Sequence, residues 1–445
     1  MEERTLVPNF FKYVSANVFG MIGLSCYILA DTFFIARGVG ADGLTALNLA
    51  IPVYSFMNGT GLMIGMGGAT RYSLLFHTAN PKTRNTVFTH AFCYATIASV
   101  FFFVIGLFFC GPLARILGAD ADILPLTKGY LRILLLFAPM FLYNNLLLSF
   151  LRNDSAPRLA MAGMLIGSFS NIILDYVFVF PLNMGMTGAA LATGVAPVIS
   201  MLVQSAHFLR KKHHFRLTRA FPRPKQIADI SALGVSSLIT EVSSGIVIIV
   251  FNFLILNLSG NLGVAAYGIV ANIALVLVSV FTGVSQGIQP LLGRYFGAGK
   301  QKEPHRVLML AFFVSLLFAA VSYIVIIFWR DPITELFNRD HNARLHTIAA
   351  DGMMLYFPAF FFVGINICSA TFLTCAEQPG WAFLLSSLRG FLLIIPVSLC
   401  FSALWGMTGI WLTMPFSEAA VTVLALFLLR KQKYSRKLKN SGFDD

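Results

Sequence analysis

Long apolar runs alternate with short polar connections along almost the whole chain. They fall near residues 10–36, 44–76, 86–112, 123–151, 158–182, 187–210, 227–258, 262–297, 306–329, 345–375, 381–404 and 408–430. About 20 consecutive apolar residues cross a bilayer as a helix, so the pattern predicts twelve transmembrane helices. Several runs are longer than that, which predicts tilt or protrusion from the membrane. One connection stands apart: 210–226, RKKHHFRLTRAFPRPKQ, is long, basic and carries two prolines. It divides the chain into an N-terminal lobe at 1–209 and a C-terminal lobe at 227–430. The stretch 210–226 is expected to be a linker, and 431–445 a polar tail.

The two halves repeat each other at an offset of about 220 residues. Gly40-Ala-Asp-Gly43 answers Gly260-Asn-Leu-Gly263, and Gly61 and Gly65 answer Gly283 and Gly287. Leu151-Arg-Asn-Asp-Ser-Ala-Pro157 answers Leu373-Thr-Cys-Ala-Glu-Gln-Pro379, and Gly185-Met-Thr-Gly188 answers Gly406-Met-Thr-Gly409. Six spans per repeat give both halves the same orientation, with a pseudo-two-fold axis along the membrane normal and a substrate path at their interface. The expected fold is an all-α integral membrane protein, two pseudo-symmetric six-helix lobes around a central cleft.

Composition agrees: of 445 residues 57% are hydrophobic and 11% charged, against about 25% charged in soluble domains. The net charge of +13 is distributed by side. Of 32 Lys and Arg, 24 fall on alternate connections, 7 on the others, and Arg389 inside a span. The basic side is expected to be cytoplasmic, with both chain ends there, in the inner (plasma) membrane. This distribution accounts for the basicity without a nucleic-acid partner. The N-terminus, MEERTLVPNFFK, enters the first span with no cleavage site of A-x-A type, so no removed leader is expected. The six cysteines lie in or beside apolar spans with neither disulfide nor zinc spacing. His213 and His214 sit in the linker with no carboxylate or Cys near in sequence and are expected to be solvated. His90, in the third span, is expected to be a hydrogen-bonded packing residue. No P-loop, H-E-x-x-H or serine elbow is present. Enzyme chemistry, direct ATP drive and an organic cofactor are therefore not expected.

The candidate chemistry lies in the few charged residues inside spans. A carboxylate at mid-bilayer costs roughly 2.5–3.5 kcal/mol on insertion scales, so each one asks for a reason. At 1.5 Å of rise per residue, Asp31 lies about 8 Å, Asp175 about 10 Å and Thr193 about 9 Å inside the outer ends of their helices. Asn171 is one turn from Asp175 on the same face. Four oxygen-bearing side chains thus converge on one layer of the first half. Two neighbouring carboxylates cannot both stay charged cheaply. Asp31 and Asp175 can hold a proton, or a sodium ion with the Asn171 and Thr193 oxygens as further ligands. In the second half Glu241 and Glu418 lie near mid-membrane, and Arg389 can reach the same depth. These three are a second candidate ion or substrate site, with an ion pair from Arg389 to either acid as the structural alternative.

Together these segments resemble the bacterial multidrug and toxin extrusion (MATE) transporters nearly end to end. The resemblance rests on Asp31 with the Gly40–Ala46 pattern, Leu151-Arg152 through Pro157, Asn171-Ile-Ile-Leu-Asp175, Gly185 through Thr193, and Gly293-Arg-Tyr-Phe-Gly297. It implies antiport: cationic or amphipathic compounds leave as protons or sodium enter, while the lobes rock between inward-open and outward-open states. Asp31, Asn171, Asp175 and Thr193 match the first-lobe ion site of the DinF-like branch. Glu241 matches the seventh-helix acid of the NorM-like branch. Prolines common in the first and seventh helices of the family are replaced by Asn17 and Ser236, and Gly20 and Gly23 are expected to supply flexibility instead. A lipid-linked oligosaccharide flippase of the same superfamily is the alternative function.

Overall fold

The computed structural model describes residues 5–209, 213–338 and 342–440. The first three residues of the expected linker and the last five of the expected tail lie outside these. The described chain forms fourteen helices: α1 (Leu6–Gly38), α2 (Ala41–Leu74), α3 (Pro81–Phe108), α4 (Cys110–Ile116), α5 (Leu124–Leu136), α6 (Ala138–Asn153), α7 (Pro157–Val179), α8 (Gly185–Leu209), α9 (Pro224–Gly297), α10 (Lys302–Phe337), α11 (Ala343–Tyr356), α12 (Phe360–Cys375), α13 (Pro379–Ser387) and α14 (Ile394–Asn440). Nine helical stretches are long and apolar enough to cross a membrane, and α5 with α6, bent by 47°, makes a tenth. Two of the ten are themselves broken, α9 at Gly260 and α14 at Gly406, which makes twelve spans as the hydrophobic pattern predicts. The expected tail differs in part: α14 continues through 431–440 rather than ending at 430.

The repeat is written into the backbone. Positive φ occurs at three matched pairs: Gly40 (91°) with Gly260 (63°), Ser155 (67°) with Glu377 (59°), and Gly185 (53°) with Gly406 (58°). The two glycine pairs end one span and begin the next, a place where the left-handed conformation is cheap only without a Cβ. Proline opens the helix after each matched turn at Pro157 and Pro379, where its missing N–H costs nothing.

Each lobe has its own apolar core. The first gathers Tyr72, Phe88, Leu134, Leu142 and Phe150 from α2, α3, α5 and α6. The second lies largely around α9, α10 and α12, with Phe281, Phe360 and Val363 among its fully buried residues. The lobes meet on the side that carries the linker, called here the linker side. Phe10, Val14 and Val18 of α1 pack into a cluster with Val284, Ile288 and Phe372 of the second lobe. Missing side chains make this contact possible: a Cβ on Gly283 or Gly287 would stand 2.7 Å from the Val18 or Val14 Cα. A Cβ on Gly67 would run into the Ile230 carbonyl, and one on Gly234 into the Met63 carbonyl. A polar seam completes the seal. Gln289 donates to Thr70 (2.8 Å), Asn153 donates to Gln289 (2.9 Å), Arg294 donates to the Asn153 carbonyl (2.5 Å), and Arg71 pairs with Glu377 (2.8 Å).

Helix α1 runs unbroken through the region where flexibility was expected. A Cβ on Gly20 would meet Met164 Sδ at 2.9 Å, and one on Gly23 would meet Leu165 at 2.6 Å. These glycines serve the close approach of α1 to α7. Asn17, in place of the proline, returns a side-chain hydrogen bond to the Tyr13 carbonyl (2.8 Å).

The linker is exposed over most of its described length, as expected, but it is also tied to the first lobe. Buried Asp154 accepts hydrogen bonds from His207 Nε2 (2.7 Å), His214 Nδ1 (2.8 Å) and the His214 backbone N–H (2.9 Å). Phe215 is fully buried against Phe88 and Phe150. His90 sits between the Thr86 and Phe221 carbonyls (2.5 and 2.9 Å), so its packing role is as expected and includes holding the linker. The missing carboxylate near His214 comes from a turn some sixty residues earlier. Asp154→Ala removes all three bonds to Asp154, each worth about 1 kcal/mol or more. It is expected to speed tryptic cleavage at Arg216 or Arg219 several-fold in the folded protein, read by timed gel analysis.

Candidate ion and cargo site

Helices α1, α7 and α8 bring the four first-lobe residues together. Asp31 is 7% exposed, Asn171 and Asp175 0%, and Thr193 5%. With its amide nitrogen toward the acid, Asn171 donates to Asp175 Oδ2 (3.1 Å) and accepts from the Thr193 backbone N–H (3.2 Å). Asp31 lies on α1, which packs along α7, the helix that carries Asp175. Asp31 Oδ1 and Asp175 Oδ1 are buried with no hydrogen-bond partner. Buried oxygens normally have partners, and an unpaired one is costly. Two unpaired carboxylate oxygens with the Asn171 and Thr193 oxygens near them have the chemistry to take a proton or a small hard cation, whose preferred ligands are oxygens. Among the described residues no group of three or more His, Cys, Asp and Glu side chains is placed to hold a metal. The cluster offers two carboxylates with neutral oxygens beside them.

The three second-lobe candidates separate. Arg389 Nη2 and Nε reach Glu418 Oε1 at 2.9 and 3.2 Å, with side-chain exposures of 10% and 2%. Asn366 donates to Glu418 Oε2 (2.7 Å) and accepts from Thr422 (3.0 Å). Both charges are paired, so the structural alternative describes this cluster. Arg389 occupies a π-helical turn, Leu388–Leu392. Glu241 is elsewhere. It accepts from Asn58 (2.9 Å), whose own oxygen accepts from Asn145 (2.8 Å). A second-lobe helix thus carries an acid whose side-chain partners are in the first lobe.

Glu241 and Thr193 line one cavity, with Tyr27, Tyr54, Asn58 and Arg152. Its empty volume, including the part continuous with solvent, is about 880 Å³. Tyr27 and Tyr54 share a hydrogen bond of 3.1 Å. Tyr27 is one helical turn before Asp31 on α1, and Tyr130 of α5 is buried. Sequence reasoning missed these tyrosines and the Asn58–Asn145 pair, because a lone Tyr or Asn in a span has many structural uses. It also counted Arg152 as a loop cation. Arg152 is 3% exposed and faces this cavity. The signal available for it was its position inside Leu151–Pro157, where the repeat has the uncharged Thr374.

The MatE family model matches the chain twice, over residues 17–177 and 236–400. The chain belongs to the MatE family. The double match follows the internal repeat, one copy on each lobe. The multidrug export protein MepA of Staphylococcus saprophyticus is 25% identical over 434 residues, covering 96% of this chain and 95% of that protein. MepA of Staphylococcus aureus strain MSSA476 is 25% identical over 409 residues, covering 91% and 90%. A solved structure described as the outward-facing conformation of a multidrug resistance MATE family transporter superposes with a TM-score of 0.90 at 20% identity, over 96% of both chains. The twelve-helix, two-lobe architecture is therefore that of the MatE fold.

Proposed function

We propose that this MatE chain is a secondary active multidrug exporter that expels organic cations or amphipathic drugs in exchange for entering protons or sodium. The observation that carries the reading is the pair of buried acids Asp31 and Asp175, with unpaired oxygens, beside a cavity between lobes whose linker side is closed by packed glycines, an apolar cluster and a polar seam. Asp31, Asn171, Asp175 and Thr193 are the coupling site, and Glu241 with Asn58 receives the cationic part of the cargo. Arg389 and Glu418 hold the second lobe together. The lobes are taken as 1–209 and 227–430 with 210–226 between them. The linker side is the cytoplasmic face of the inner (plasma) membrane, and both chain ends lie there. No cofactor or nucleic acid takes part, and the chain catalyses no covalent reaction.

Alternating access is the mechanism that this reading implies. Glycine contacts close the linker side, and an ion that binds Asp31 and Asp175 removes the repulsion between them. The arrangement of α1, α7 and α8 then changes its preferred state only by the differential affinity of ion and cargo for the two states. One charge moving inward across 100 mV supplies about 2.3 kcal/mol. MepA being named a multidrug export protein supports the cargo class. A lipid-linked oligosaccharide flippase would need several cations for its pyrophosphate. The cavity lining offers Arg152 against Glu241, which favours a cationic or amphipathic cargo. Ethidium efflux from proteoliposomes, with proton and sodium gradients imposed separately, tests the reading. Efflux driven by one gradient is the expected result, and none with either gradient overturns it.

A further inference from the structure

We propose that Arg152 is an anion subsite at the linker-side end of the cavity. It takes a carboxylate or phosphate from a ligand whose cationic end lies at Glu241. The inference rests on the export reading only for the use of the cavity. Arg152 is 3% exposed and lines the cavity. Its hydrogen bond is from Nη2 to Met164 Sδ at 3.3 Å, and a thioether is a weak acceptor. Its Nε has no partner. Among the described residues no carboxylate pairs with it, whereas Arg389 has Glu418 and Arg71 has Glu377. A guanidinium does not deprotonate in proteins, and a buried charge without a counter-ion is costly. Its fork matches the two oxygens of a carboxylate or phosphate.

The surroundings are polar. Gln204 donates to Asn144 Oδ1 (2.7 Å) and to Ser200 Oγ (2.8 Å). Asn144 and Ser200, which both line the cavity, are acceptors in these bonds and keep their own N–H and O–H donors for other partners. The opposite pole is fixed by Glu241, Asn58 and Asn145. Asn145 and Arg152 are both on α6, seven residues apart, hence about 10 Å along the helix. Met21, Leu24, Phe141 and Leu148 line the cavity as well. The geometry fits an amphipathic zwitterion: an amine at one end, an acid at the other, and an apolar body between.

The test uses rhodamine B, a zwitterion with a free carboxylate, and its ethyl ester, a cation with the same ring system. Binding is read by fluorescence anisotropy on the full-length protein in nanodiscs, with ethidium as a cation lacking any acid. Arg152→Gln is expected to weaken rhodamine B about tenfold or more while leaving the ester and ethidium unchanged, and Arg152→Lys to recover part of the loss. Native mass spectrometry with phosphatidylglycerol covers the second source. Lipid retained by the wild type and lost in Arg152→Gln supports the subsite with a lipid phosphate as its ligand. Equal effects on acid and ester with no change in lipid retention overturn the proposal. Where Arg152→Gln does not fold, the wild type decides, because an ester bound as tightly as the acid, with no lipid retained, also overturns it. Failure here with ethidium binding intact leaves the export reading standing.

Discussion

Asp175→Asn is expected to reduce gradient-driven ethidium efflux to the rate of protein-free liposomes, while the protein folds and purifies as before. The substitution keeps the size of the side chain and a partner for Asn171, which bonds Asp175 at 3.1 Å and the Thr193 backbone at 3.2 Å. What it removes is one of the two buried carboxylates of the cluster. Coupling requires a group whose charge changes when the ion arrives and leaves. An amide has none, and Asp31 alone has lost the like charge that made binding alter the site. The fully buried position limits alternatives, since no other carboxylate of the described chain is hydrogen-bonded to this cluster. The same proteoliposomes, with proton and sodium gradients imposed in turn, check the outcome. Undiminished gradient-driven efflux in Asp175→Asn would sink the first-lobe coupling site.

The second large effect concerns stability. Arg389→Leu leaves Glu418, 2% exposed at its side chain, without its cation. Removing one partner of a buried ion pair costs about 3–5 kcal/mol, whereas replacing both with uncharged groups is often neutral. Arg389→Leu is therefore expected to lower the apparent Tm in detergent markedly. Arg389→Leu with Glu418→Gln should recover most of the loss, because Gln still accepts from Asn366, now bonded to Glu418 at 2.7 Å. Efflux by the double variant should match wild type. A stable double variant with uncoupled transport would return this pair to the ion pathway.

The architecture was legible because hydrophobic length and the paired turn motifs act locally. A run of apolar residues spans wherever its lobe lies, and Gly40, Gly185, Gly260 and Gly406 take positive φ in their own turns. The first-lobe site was legible for a related reason. Depth along a helix follows from counting residues, and four polar side chains at one depth converge if their helices do. Partners from distant segments were not legible. Glu241 stood in the sequence as a second-lobe acid, yet it bonds Asn58 across the lobe boundary. His214 is exposed as expected, but its partner Asp154, at 2.8 Å, was hidden because it is remote in sequence. Arg152 looked like an orienting charge because rotation about α6, which turns it inward, is invisible to a count of loop cations. For Arg152 the repeat held a clue, the uncharged Thr374 at the matched position, but for the first-lobe site it held none, since it maps Asp175 near Pro396 and Thr193 near Met414.

The docked linker would bear on how far the lobes travel in the proposed exchange. The Phe221 carbonyl lies 2.9 Å from His90 of the first lobe, and α9 of the second lobe begins at Pro224. Three residue steps span about 10 Å when fully extended. While that contact holds, opening on the linker side would be a rotation about a nearly fixed corner. Lengthening this tether would relax a mechanical stop without touching the ion or cargo residues.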